Sequence, residues 1–115
     1  MKDAEVQAIL ISDDNLMANN CSALVGLGIN NSIPVLGTNV TNAADGALAC
    51  LSIDYDELCL STADVVISVI RGQNPDELPI KYFDTKISAV NKNSAEQLGI
   101  TLPEEILENA NYIFE

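Results

Sequence analysis

Apolar residues along this chain alternate between short continuous blocks and helical stripes. Val6-Gln7-Ala8-Ile9-Leu10-Ile11-Ser12 is a near-continuous apolar run, as a parallel strand covered on both faces requires. Asp13-Asp14-Asn15 follow, and their short side-chain oxygens suit a helix start. Behind them Met17, Cys21, Leu24, Val25 and Gly28 recur at helical spacing, which predicts one helix through about Gly28. Ile33-Pro34-Val35-Leu36-Gly37 predicts a second strand, with Pro34 near its start, where a missing donor is tolerated. Thr38 to Gly46 reads as a polar loop rich in Asn, and Ala47 to Ile53 as a third strand.

Asp54-Tyr55-Asp56-Glu57 then places negative charge at the start of a strong helix, where the helix dipole favours it. Leu58, Thr62, Val65, Val66, Val69 and Ile70 form its apolar stripe, predicted to be buried, and Arg71-Gly72 closes it with a cation and a C′ glycine. Asn74 to Pro79 is a turn-rich link. Lys86 to Val90 is a fourth strand, at an edge or crossing, and helices at Asn93–Leu98 and Pro103–Tyr112 finish the chain. Gly99 closes the first of these. Thr101 and Glu104 offer a capping box to the second, with Pro103 in its first turn, where a missing N–H costs nothing.

Strand, helix, strand, loop, strand, helix, strand is α/β order and implies a mostly parallel sheet. At 115 residues the chain is one domain at most. Two segments are expected within it. Residues 1–84 form a partial Rossmann-like lobe; residues 85–115 form a return strand and C-terminal helices that pack on the same unit or on a partner chain. Three or four short strands leave sheet edges open, a liability that proteins normally cover.

Composition narrows the function. Five basic residues stand against seventeen acidic ones, a formal net charge of −12. That balance repels phosphate backbones and anionic lipid, so no nucleic-acid partner is expected. The chain has no histidine, which excludes His-based triads and His–metal clusters. Cys21, Cys50 and Cys59 follow no metal spacing. Cys21 and Cys59 fall on apolar helix faces and Cys50 on a strand, where free cysteine acts as a small hydrophobe. No cofactor or metal is expected. No apolar run approaches the roughly 18 residues of a membrane span, and no basic segment precedes an apolar one at the start.

In open α/β sheets, ligands bind beyond the carboxyl ends of the strands. The two loops there are Ser12–Asn15 and Gly37–Asn42, which supply Asp13, Asp14, Asn15, Thr38 and Asn39. Carboxylates can pair with an ammonium group and helix-start N–H groups can hold a carboxylate, a mixture suited to a zwitterion such as an amino acid. The competing reading is structural, since Asp and Asn at strand–helix turns are good caps. An enzyme of flavodoxin-like or Rossmann-like layout lacks support: there is no Gly-rich phosphate loop and no convergent acid–base pair. Gly26-Leu27-Gly28 ends a helix instead of following a strand.

The stretch from Val90 to Leu107 (VNKNSAEQLGITLPEEIL) resembles the C-terminal signature of the ABC-importer substrate-binding proteins for tryptophan, tyrosine and related amino acids. In that family a strand ending in Asn runs into a short Ala-Ala-Glu-x-Leu-Gly helix, then Ile-Thr-Ile/Leu-Pro-Glu and a final helix. Ala8 to Asn15 resembles the family's Ala-Ile-Tyr-Val-Pro-Thr-Asp-Asn, whose polar end lines the ligand cleft. Ile33 to Asn39 resembles Ile-Pro-Val-Phe-Gly-Gly-Asp, and Gly46 to Leu58 resembles Gly-Ala-Leu-Ala-Thr-x-Gly-Ile-Asp-Tyr-Tyr-Glu-Leu. Two departures fall in the expected ligand loops, where Asp13 stands for Thr and Thr38-Asn39 for Gly-Asp; elsewhere Ser52 replaces a glycine, and Cys59 and Ala63 take small-residue positions on the long helix.

The resemblance implies a small, mostly parallel, three-layer α/β sheet with flanking helices, part of one lobe of a type I periplasmic-binding-protein-like fold. It further implies a C-terminal fragment of a solute receptor that performs no chemistry. Such a receptor binds an aromatic or apolar amino acid through Asp13, Asp14, Asn15, Thr38 and Asn39 and presents it to a membrane permease. The alternative is a ligand-free oligomerising or regulatory module derived from that fold. Either way, open strand edges predict a homo-oligomer of the isolated chain. Localisation is extracytoplasmic for a receptor fragment, periplasmic or as a membrane-associated lipoprotein, and cytoplasmic if Met1 is the native start.

Overall fold

The computed structural model describes residues 5–82, 84 and 86–115. Met1, on which the localisation expectation turns, and the aromatic Phe83 lie outside the described residues. Five strands form one sheet in chain order: β1 (Ile9–Leu10), β2 (Val35–Gly37), β3 (Ala49–Ile53), β4 (Lys86–Asn91) and β5 (Tyr112–Phe114). Pairing is parallel from β1 to β2, with Leu10 opposite Leu36, and from β2 to β3, with Gly37 opposite Cys50. β4 and β5 are parallel to each other. The Asn91 N–H, at the end of β4, donates to the Leu48 carbonyl just before β3 at 3.0 Å. Neighbouring strands meeting end to start in this way run in opposite directions. The return strand is therefore a reversed inner strand between β3 and β5 and does not lie at the edge.

The chain divides into two compact units, one made of residues 1–52 with 87–115 and the other of residues 53–86. In the first, α1 (Asn15–Asn19), α2 (Cys21–Asn30), α3 (Val40–Ala44), α5 (Lys92–Leu98) and α6 (Glu104–Asn109) accompany the sheet. Its core joins Ile11, Val35 and Ala47 to Cys21 and Val25 of α2, with Met17, Leu24 and Ile9 packed around them. These α1–α2 residues are the predicted apolar face. A second cluster holds Ala43, Cys50 and Ala89, against which Val40 and Phe114 pack. Because register partners in a parallel pair share a face, Leu10, Leu36 and Ala49 lie on the side away from Val35 and Cys50. On that side Leu10 is 71% exposed, and Leu51, two residues beyond Ala49, is 57% exposed.

Several local expectations change. The first helix is two, because Asn20 has φ −117° and ψ 10° and its side-chain amide donates to the Leu16 carbonyl at 2.8 Å. Asn side chains that bond nearby backbone compete with the helix ladder in this way. The loop at Thr38–Gly46 contains α3. The Thr101 capping box does not form: Pro103 occupies the cap position with φ −58° and ψ 143°, and α6 has no side-chain cap. A Thr101 cap needs Leu102 helical, and the residue before a proline is pushed out of the helical region. Tyr112, assigned to the last helix, instead begins β5.

The second unit contains α4 (Tyr55–Ile70) and a 3-10 turn at Pro75–Glu77. The Asp54 carboxylate caps α4 by accepting from the Asp56 and Glu57 amides. Arg71 is its C-cap, and Gly72 follows with φ +97°, the left-handed conformation that a C′ glycine supplies. None of its residues is buried: Leu58 and Val65 of the predicted stripe are half-buried, and Ile70 is 78% exposed. Cys59 is exposed as well, against the expectation of an apolar packing role. Helical spacing marks a face that favours cover; it does not supply the surface that covers it.

Candidate functional site

The ends of β1 and β2 are held in step by the Ile11 amide, which donates to the Leu36 carbonyl at 2.9 Å. Their exits therefore lie side by side at one end of the sheet. From the first exit, Ser12, Asp13, Asp14 and Asn15 are all exposed. Asp14 is the N-cap of α1: its Oδ1 accepts from the Met17 amide at 2.9 Å, and its Oδ2 accepts from the Ser12 hydroxyl. These donors, the Ser12 hydroxyl first and the Met17 amide second, lower the Asp14 pKa below its ordinary value. Asp14 stays ionised at neutral pH. A carboxylate has about four acceptor positions, so a capping Asp keeps others for a ligand donor.

From the second exit, Thr38 and Asn39 are half-buried. The Thr38 hydroxyl donates to the Ile11 carbonyl at 3.2 Å and so ties the second loop to the end of β1. Asn39 caps α3, its Oδ1 accepting from the amide and the hydroxyl of Thr41, each at 3.1 Å. Its acceptor is thus engaged within the protein, and its amide NH2 remains as the polar group to offer.

Asn42 lies beneath this turn and is 3% exposed. Its Oδ1 accepts from the Thr38 amide at 3.2 Å and from the Asn39 amide at 3.1 Å. Gly37 makes the approach possible, since a Cβ there would lie 2.5 Å from the Asn42 Cβ. Sequence reasoning placed Asn42 in a loop and assigned it nothing. The available signal was an Asn three residues after an Asn cap, a capping box with Asn in place of Glu or Gln.

A groove of about 660 Å³ opens elsewhere, between β3, β4 and α6, lined in part by Cys50, Ser88, Glu105 and Asn109. It contains none of the five loop residues. Among the described residues no group of His, Cys, Asp and Glu could hold a metal ion, and no helix is long and apolar enough to cross a membrane.

Residues 1–113 match the family model described as ABC transporter substrate binding protein. The chain belongs to that family. A tyrosine-binding protein of Clostridioides difficile (strain R20291) is 23% identical over 96 residues, 84% of this chain. A Streptococcus pneumoniae ABC domain solved in complex with L-Trp is 29% identical and superposes on 98% of the chain with a TM-score of 0.85. A conserved domain protein of Vibrio cholerae is 31% identical over 93% of the chain, with a TM-score of 0.83. The chain spans 28% of the tyrosine-binding protein and 38% and 36% of the two structures. The family membership and the α/β fold expected from the C-terminal signature both hold.

Proposed function

We infer that this chain contributes one wall of an amino-acid-binding cleft in a solute receptor of an ABC importer, with an aromatic amino acid as ligand. The observation that carries the reading is the superposition of nearly the whole chain on an ABC domain solved with L-Trp bound. The loops support it chemically. Asp14, ionised beside Asp13, faces solvent at the cleft end and offers negative charge to the ligand ammonium. Asn15 adds a polar side chain at the start of α1. Asn39 offers its amide donor to the ligand carboxylate, and Thr38 holds the two loops together.

A single wall leaves most of an amino acid in water, and small-molecule sites bury most of their ligand's surface. The opposite wall comes from a second lobe or a second copy, and the ligand is delivered from the extracytoplasmic side to a membrane permease. The chain performs no chemistry in this reading, and its acidity fits no nucleic-acid partner. Calorimetric titration with L-tryptophan, L-tyrosine, L-phenylalanine and L-leucine tests it. Saturable heat with an aromatic member, weakened in Asp14→Ala, is expected. A folded sample silent toward all four contradicts the reading.

A further inference from the structure

We propose that Asn42 is the positioning residue of the ligand turn, holding Thr38 and Asn39 in the conformation that meets an amino acid. The inference rests on the binding role given above for that turn. Asn42 is 3% exposed, so it touches no ligand itself and acts through the two residues above it. One oxygen accepts both turn amides, at 3.2 and 3.1 Å, and fixes the two peptide planes that carry the Thr38 and Asn39 side chains. The Asn42 backbone is anchored in turn. Its N–H donates to the Asn39 carbonyl at 3.0 Å, and its carbonyl accepts from the Ala47 amide at 2.8 Å and from the Cys21 thiol at 3.8 Å. The clamp therefore stands on α2, α3 and the entry to β3, a rigid base for a polar turn.

Gly37 completes the device. Any side chain there would drive into the Asn42 side chain, with contacts of 2.5 Å to Cβ and 2.8 Å to Oδ1. The Thr38 hydroxyl then transmits the fixed geometry to the first loop through the Ile11 carbonyl. Asn42 thus sets the spacing between both groups of candidate ligand residues. A residue that only filled volume would tolerate any isostere. A residue that works through its acceptor oxygen tolerates Asp and rejects Leu.

The experiment uses hydrogen exchange by NMR on the whole chain, with L-tryptophan titration alongside. In Asn42→Leu and Asn42→Ala the Thr38 and Asn39 amides are expected to exchange about tenfold faster, while the Ile11 amide keeps its wild-type rate. L-Tryptophan affinity falls in parallel. Asn42→Asp keeps the double acceptor and restores both slow exchange and affinity. Unchanged exchange and affinity in Asn42→Leu overturn the proposal, as does loss of both in a folded Asn42→Asp variant. If Leu and Ala variants fail to fold, the Asp variant alone decides. A wild-type chain that binds no amino acid overturns the binding reading and the positioning role with it. Normal binding in Asn42→Leu overturns the positioning role only.

Discussion

Replacing Asn91 should weaken this fold, because its side chain ties the end of β4 to both α5 and α3. Asn91 ends β4 and is 6% exposed. Its Oδ1 accepts from the Ser94 amide at 2.9 Å and caps α5, while its side-chain amide donates to the Ala43 carbonyl at 2.9 Å. In Asn91→Ala the lost cap costs about 1 kcal/mol. The lost bond to the Ala43 carbonyl, which keeps the Gly46 amide as a donor at 3.1 Å, costs about 0.5–1.5 kcal/mol more. Against a total stability of about 6–17 kcal/mol for a domain of this length, the loss is large. With a urea slope of about 1.5 kcal/mol per molar, the midpoint should fall by about 1–2 M. Asn91→Asp keeps the cap oxygen but turns a carboxylate toward the Ala43 carbonyl, so it should fall at least as far. Urea unfolding followed by circular dichroism measures both. An Asn91→Ala midpoint within about 0.3 M of wild type refutes the reasoning, and so does an Asn91→Asp variant as stable as wild type.

The three cysteines should react very unequally with a thiol reagent. Cys59 is exposed, whereas burial holds Cys21 and Cys50 away from reagent and pushes their thiol pKa up, so one fast equivalent and two slow ones are expected; three fast equivalents in folded protein contradict this. Asp14 has a folded pKa below its unfolded one, so its capping contribution is complete above the ordinary 3.8 and is lost as pH falls through the lowered value. A carboxyl-carbon NMR titration checks this, and a midpoint at or above 3.8 contradicts it. With Leu10 exposed on β1 at the sheet edge, the isolated chain should associate. Light scattering that reports a monomer at micromolar concentration contradicts that expectation.

The α/β order was legible because its strands are short apolar blocks and its helices carry capped stripes. Asp14 and Asp54 cap α1 and α4 as their positions suggest, and Gly99 closes α5 with φ +66°. What escaped was set by competing local forces or by tertiary contact. Leu102 before Pro103 defeats a capping box that the residues at 101 and 104 spell out. Tyr112-Ile113-Phe114 has the aromatic and β-branched content of a strand, but its place at the end of a helical stripe hid it. The inner position of β4 depends on long-range pairing with Leu48 and Asn111, which no local pattern encodes. In the candidate site the exposed members were legible as polar residues at strand exits. Asn42 was not, because its role comes from burial beneath Gly37 rather than from its own chemistry.

Chemical-shift mapping with L-tryptophan tests the central claim most directly, because it registers weak binding and locates it at once. Saturable shifts are expected at the amides of residues 12–15 and 38–39, with those of residues 92–96 at the start of α5 unmoved. Shifts confined to the α5 start or to the groove beside α6, or no shifts at all in a folded sample, would contradict it.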